Sequence, residues 1–185
     1  MTSLAYPTLA CWAALEVGLR MREAMQGRGG SSRDRGTRVL IAISLGAAIA
    51  AASVATSVAP SLRAPAAVRV LGVGVMWLGL VTRVWAVAAL GGAFRTTVEV
   101  DPDQAVVTSG PYQWIRHPSY TGLLLIVAGL GLAVGNWLSV AACLVLPLPA
   151  IAWRIHVEEA ELSRVLGDAY RTYRTRTARL VPGLW

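Results

Sequence analysis

The sequence has no lysine, one phenylalanine, two cysteines, two histidines and only ten acidic residues among 185. Each scarcity excludes something. Cys11 and Cys143 both lie in apolar stretches, which is not the pattern of a disulfide framework. Two histidines without a cysteine cluster do not make a zinc site, and no metal is expected. Charged residues are 15% of the chain and hydrophobic residues 55%, against roughly 25% and 45–50% in soluble domains. That balance excludes disorder, which needs low hydrophobicity and high charge. It also leaves too little polar surface for an ordinary soluble globule of this size. The class implied is an integral membrane protein.

All seventeen basic residues are arginine, and the net charge is +7. Such a balance suits nucleic acid or an anionic membrane face, and the positions of the arginines decide between them. A bilayer core about 30 Å thick needs roughly 20 apolar residues in a helix. Residues 4–19 are apolar except for Glu16, residues 39–59 carry no charge, and residues 70–93 are apolar except for Arg83. Residues 120–153 carry no charge at all. They are too many for one crossing, and Gly135-Asn136 offers a turn between two short arms.

The fold expected is therefore all-α: a polytopic membrane helical bundle of about five transmembrane helices, the last two a tight hairpin. Residues 156–177 are expected to form a cytoplasmic C-terminal helix, acidic at its start and basic at its end, as the helix dipole favours. Basic loops alternate with poor ones along the chain, which places the N-terminus outside and the C-terminus in the cytoplasm. The same alternation explains the net charge without nucleic acid, and no nucleic-acid-binding pattern appears. Residues 1–82 and 83–185 are expected to form an N-terminal helical part and a C-terminal core of one integrated domain. Residues 27–36 are a flexible polar loop, and residues 94–108 an extended excursion with a turn, of hairpin kind. The N-terminus lacks a basic stretch before its apolar run and does not read as a cleaved signal peptide.

The densest chemistry is in residues 109–122, SGPYQWIRHPSYTG. Gly110-Pro111 enforces a turn. Pro118 keeps His117 out of a helix and starts one itself. Arg116 and His117 then sit at a helix N-terminus, where backbone N–H groups suit a polar or anionic ligand. An interfacial belt of Trp, Tyr and Arg is the alternative reading. In WRIHVEEAEL, Arg154 and Glu158 are four apart on one helical face, and Glu159 points about 100° away from Glu158. A surface salt bridge and a snorkelling arginine are the alternatives there. Arg83 within a span costs several kcal/mol unless paired, and Glu16 is the expected partner. Tyr170 and Tyr173 with Arg171 and Arg174 read as an amphipathic, membrane-facing surface.

Together these clusters resemble the isoprenylcysteine carboxyl methyltransferase family, whose wider relatives include phospholipid N-methyltransferases. The pattern GPY-x-x-x-RHP-x-Y-x-G, then R-x-x-x-EE-x-x-L, then G-x-x-Y-x-x-Y and a late Pro, is present in full from about Arg83 onward. The resemblance implies a membrane O-methyltransferase that uses S-adenosylmethionine and acts on a lipophilic acceptor, an isoprenylcysteine-like carboxylate or a lipid-like phenol or hydroxyl. A phospholipid-amine N-methyltransferase and a non-catalytic scaffold are the other readings. Carried over, Pro111, Tyr112, Arg116, His117, Pro118, Tyr120 and Gly122 line the cofactor site. Glu158 and Glu159 are the acidic pair, with Glu158 on the cofactor's ammonium. Arg154 positions the acceptor, and Tyr170 and Tyr173 close the pocket. A phenolic acceptor needs a base, for which His117, His156 and Glu158 are the candidates. The acceptor, membrane-partitioned or prenylated, enters from the bilayer. The arginine-only, alanine-rich composition suggests a bacterial plasma membrane.

Overall fold

The computed structural model describes residues 5–25, 36–94, 100, 105–183 and 185. Among these residues six α-helices make up the bundle: α1 (Ala5–Met25), α2 (Thr37–Val58), α3 (Ala66–Leu90), α4 (Pro118–Val134), α5 (Trp137–Val145) and α6 (Pro147–Arg174). The loop expected at 27–36 and most of the 94–108 excursion lie outside the described residues.

Three helices among the described residues are long and apolar enough to cross a membrane: α2, α3, and the unit of α5 with α6. Their outward faces are apolar. Val39, Leu40, Ile43 and Val54 on α2, and Leu71, Trp77, Leu78 and Val81 on α3, are all exposed. A patch of that extent is stable against lipid and not against water. The chain is thus an integral membrane protein of helical fold. Helix α1 carries Glu16, Arg20 and Arg22, and α4 has 17 residues.

Apolar surface gains nothing by moving from lipid to another helix, so close packing and buried polar contacts hold the bundle together. The most extensive contact is α3 on α4. Gly72 faces Gly129 and Gly79 faces Gly122. A Cβ on Gly122 would sit 2.7 Å from the Gly79 carbonyl oxygen and 2.8 Å from the Arg83 amide. The two backbones meet because no side chain stands between them. Helix α5 and its cap are joined differently to α2 and the residue that ends it, by side chains that donate to backbone carbonyls. Asn136 Nδ2 reaches Ala59 O at 2.8 Å, and Ser139 Oγ reaches Ala52 O at 2.9 Å. Leu45, Ala48 and Ala52 then meet Leu123, Val127, Cys143, Ile151 and Ile155 in the core.

The turn between the hairpin arms falls at Gly135–Asn136, with Asn136 capping α5 by accepting from the Leu138 amide. The second arm differs from expectation. It breaks after only nine residues, where Pro147 supplies no N–H to continue α5. The C-terminal helix expected over 156–177 is not a separate element. Nothing between Pro149 and Gly167 interrupts helix, so membrane arm and charged segment are one α6. Its backbone departs from helix only at Gly167, whose φ of 55° suits a glycine.

Candidate functional site

The turn before α4 is built as a 3₁₀ turn over Gly110–Gln113, and Pro118 then starts α4. The C-terminal tail runs alongside it. The Arg116 and His117 amides donate to Ala178 O and Arg179 O at 2.8 and 3.0 Å. The backbone N–H groups expected to face a ligand are therefore taken by the tail. What the turn presents is side chains.

The two adjacent carboxylates of α6 face apart. Glu159 is 5% exposed at its side chain and turns into the wall. Arg116 Nε donates to it at 2.9 Å, and Arg179 Nε and Arg174 Nη2 lie at 3.2 and 3.8 Å. Arg116 also donates to the carbonyls of Arg174 and Thr177. This knot pins turn, helix and tail together. It lies past Trp153, where the apolar part of α6 ends and the charged part begins. Burial pushes the Glu159 carboxyl up, but the neighbouring His117 and Arg116 outweigh it and hold the group down at about 2.

Glu158 is the opposite case. Its side chain is 30% exposed and belongs to a cavity wall. It accepts from Tyr120 Oη at 2.8 Å. Tyr120 Oη in turn accepts from Arg154 Nε at 3.0 Å, and Arg154 Nη1 donates to Thr37 Oγ1 at 2.8 Å. Arg154 is 2% exposed, with Glu158 Oε2 3.7 Å from its Nε. Thr37, Arg154, Tyr120 and Glu158 thus form one chain of polar contacts linking α2, α6 and α4.

The cavity has a volume of about 540 Å³, within the roughly 300–1,000 Å³ usual for small-molecule sites. Its polar lining includes Tyr112, Arg116, His117, Glu158, Tyr170 and Tyr173. Tyr173 Oη donates to the Tyr112 carbonyl at 2.7 Å, which seats the last turns of α6 on the GPY turn. Burial pushes the Tyr112 phenol well above its usual range, so it is a neutral hydroxyl at physiological pH. Its apolar lining includes Trp12 and Val17 of α1, Ile41, Leu45 and Ile49 of α2, and Leu123 of α4. An ion pair lines it as well. Arg83 Nε meets Glu16 Oε1 at 2.5 Å, and Arg83 Nη1 donates to Ser119 Oγ at 2.7 Å. The pairing expected from the charges of the first and third spans is present, and it lines the cavity.

Of the residues expected at the site, Tyr112, Arg116, His117, Tyr120, Arg154, Glu158, Tyr170 and Tyr173 line this cavity. Pro111, Pro118, Gly122 and Glu159 stand behind it. The first two shape the turn, Gly122 packs on α3, and Glu159 ties the wall together. His156 is exposed and pairs with the Trp153 ring. The lining residues that sequence reasoning passed over come chiefly from α1 and α2: Trp12, Arg20, Arg38 and Ile41. Periodicity could not single them out, because lipid-facing and cavity-facing apolar residues look alike in a sequence.

Comparison with known proteins gives the following. The sequence model of the isoprenylcysteine carboxyl methyltransferase family matches residues 71–164, just over half of the chain. The protein-S-isoprenylcysteine O-methyltransferase of Schizosaccharomyces pombe is 32% identical over 111 residues, 59% of this chain and 47% of that protein. The Tribolium castaneum protein of the same name is 31% identical over 114 residues, 60% of this chain and 41% of its own. A solved structure of the eukaryotic intramembrane Ras methyltransferase of this family matches with a TM-score of 0.66 at 28% identity. It covers 77% of this chain and 52% of that one. The chain spans about half the length of the curated relatives it matches. Helices α1 and α2 precede the segment that the family model covers.

Proposed function

The chain belongs to the isoprenylcysteine carboxyl methyltransferase family, and on that premise we propose that it is an S-adenosylmethionine-dependent O-methyltransferase of a lipophilic acceptor. The acceptor is a carboxylate of the isoprenylcysteine kind, with a lipid-like phenol or hydroxyl as the variant. The observation that carries this reading is one cavity lined both by polar side chains, Glu158 and Tyr170 among them, and by apolar ones of α1 and α2, with Arg154 in its wall. Such a cavity matches a polar cofactor and a greasy acceptor side by side.

The residues present fit the cofactor. Tyr170 Oη is buried without a hydrogen-bond partner among the described residues and its side chain lines the cavity, while His117 Nε2, also in the lining, lies 3.4 Å from Glu159 Oε1. A buried polar group left unsatisfied costs about 1–3 kcal/mol, so a polar ligand there meets a standing demand. Glu158 holds the ammonium group, and Tyr112, Arg116, His117, Tyr170 and Tyr173 enclose the remainder. When bound, S-adenosylmethionine supplies a methyl group on a sulfonium, already activated for transfer. The protein's own work is then placement and exclusion of water. Arg154 holds the acceptor's anionic end, and the apolar walls of α1 and α2 take its lipid part. A carboxylate is ionised at neutral pH and needs no base. For a phenol, His117 and Glu158 are the bases within the wall.

Charge separates this reading from methylation of a lipid amine. Among the described residues, five arginines (Arg20, Arg38, Arg83, Arg116 and Arg154) and two glutamates (Glu16 and Glu158) line the cavity, with Arg83 paired to Glu16 and Arg116 to Glu159. An arginine-rich lining suits an anionic acceptor better than an ammonium. The arginine-rich segments flanking the site support the reading that it opens to the cytoplasm, with the acceptor entering from the bilayer.

The test is calorimetric titration of the detergent-purified protein with S-adenosylmethionine, followed by transfer of labelled methyl to N-acetyl-S-farnesylcysteine, a lipophilic phenol or phosphatidylethanolamine. Saturable binding, weakened at least about tenfold in Glu158→Gln, with label in the ester, is the expected result. A folded protein that binds no cofactor overturns the cofactor assignment. Label in the amine alone overturns the acceptor.

A further inference from the structure

Two arginines stand at the end of the bundle where α2 stops and the Gly135–Asn136 turn joins α4 to α5. Arg63 follows α2, and Arg69 lies in the first turn of α3. Both are held at that turn. Arg63 pairs with Asn136 in an isolated antiparallel bridge, and the Ala64 amide donates to Gly135 O at 2.9 Å. The Arg69 side chain lies on Gly135 itself, where a Cβ would come within 2.6 Å of Nε. The elements of this end fall within residues 35–98 and 104–157, and neither stretch contains an aspartate or glutamate. Neither arginine has a hydrogen bond or ion pair among the described residues. Arg69 Nε is enclosed, while the side chain as a whole is half-buried and its terminal nitrogens are open. A guanidinium partly stripped of water, with no carboxylate in the segments around it, calls for an anion from outside the chain.

The surroundings say which anion. Leu62, next to Arg63, and Trp137, next to Asn136, are both exposed. Exposed Leu and Trp beside charge at the end of membrane helices mark the headgroup level of a bilayer, where the abundant anion is the lipid phosphodiester. The planar fork of a guanidinium fits two phosphate oxygens at once. We propose that Arg63 and Arg69, set on the Gly135–Asn136 turn, form a binding site for the phosphodiester of an anionic membrane phospholipid, with the lipid's chains against Leu62 and Trp137. The site stands apart from the cavity and does not depend on the methyltransferase reading. It predicts a preference for one headgroup chemistry. Arginines that only snorkelled to the interface would hold the helix ends there without choosing among lipids.

The test is native mass spectrometry of the detergent-purified full chain, titrated with phosphatidylglycerol or with a galactosyl diacylglycerol of the same chains. Wild type binds one phosphatidylglycerol at least about tenfold more tightly than the glycolipid, and Arg63→Gln with Arg69→Gln loses that tenfold. Arg171→Gln with Arg176→Gln, two exposed positions at the other end, changes it by less than about twofold. Thermal melts give a second reading: phosphatidylglycerol raises the midpoint of wild type by several degrees and that of the double variant by less than one, while inorganic phosphate moves neither. If Arg69→Gln does not fold, Arg63→Gln alone, at an exposed position, decides through a loss of about threefold. Equal binding of the two lipids, unchanged binding in the Arg63 variants, or an equal loss in the Arg171 and Arg176 variant overturns the proposal. Stabilisation by inorganic phosphate equal to that by the lipid overturns the lipid as its occupant.

Discussion

Glu158 and Glu159 are neighbours in sequence and opposites in role, because successive helix positions point about 100° apart. Glu158 faces the cavity and Glu159 the arginine knot. Their amide variants are expected to fail differently. Glu158→Gln loses S-adenosylmethionine affinity and keeps its thermal midpoint within a degree or two, since its side chain is 30% exposed. Glu159→Gln leaves Arg116 short of its charge partner in a buried site. Breaking a buried pair from one side costs about 3–5 kcal/mol. Partial exposure of Arg174 and Arg179 brings the expected loss toward the lower end, about 3 kcal/mol, read as a lowered midpoint. The same knot sets a pH dependence. Glu159 is held at about 2 when folded, against about 4.3 when unfolded. Its contribution is fully present above about pH 4.3 and is lost as pH falls toward 2. A denaturation series is expected to be flat in this respect from pH 5 upward and to fall below pH 4. Sequence alone supplied the two-carboxylate motif and their angular separation. It could not say which carboxylate faced the cofactor end, because that depends on how α6 is rotated against the turn.

At the scale of elements, the bundle depends on backbone contact between α3 and α4 and on one intramembrane ion pair. Gly122→Val would place a Cβ against the Gly79 carbonyl and the Arg83 amide, both backbone atoms that cannot rotate away. Overpacking of this kind costs about 1–3 kcal/mol. It also displaces the first turns of α4, so a lowered midpoint and weakened cofactor binding are expected together. The Glu16–Arg83 pair joins α1 to α3, and α1 has its main contact with α3. Removing one charge is costly because the other stays buried. Glu16→Leu alone is therefore expected to destabilise more than Glu16→Leu with Arg83→Met. Equal loss in both, measured by thermal melts in the same detergent, would dismiss the pair as an anchor. This pairing was legible in the sequence, since two opposite charges in otherwise apolar spans have strong reason to meet. The fusion of the second hairpin arm with the C-terminal helix was less so. Composition changes at Arg154, but helix propensity does not.

For the molecule as a whole, the arginine distribution predicts one orientation in the membrane, and cysteine labelling checks it. In a Cys11→Ser background, Arg176→Cys, exposed beyond α6, is expected to react with an impermeant maleimide only from the cytoplasmic side. Ser61→Cys, exposed between α2 and α3, is expected to react only from the other side. The sequence by itself determined the membrane class, the apolar stretches, the Gly135–Asn136 turn and the partnership of Arg83 with Glu16. Each follows from local composition or spacing, because the cost of exposing charge to lipid, or of helix at proline and glycine, arises residue by residue; the motif residues from Pro111 to Tyr173 came from the family resemblance instead. Only the tertiary structure decided that the tail at Ala178 and Arg179 takes the amides of Arg116 and His117, that Glu159 stands behind the wall, and that Thr37 reaches Arg154. Those contacts join residues 20 to 117 positions apart. Helix periodicity fixes which way a side chain points on its own helix, and carries no information about which other helix waits there.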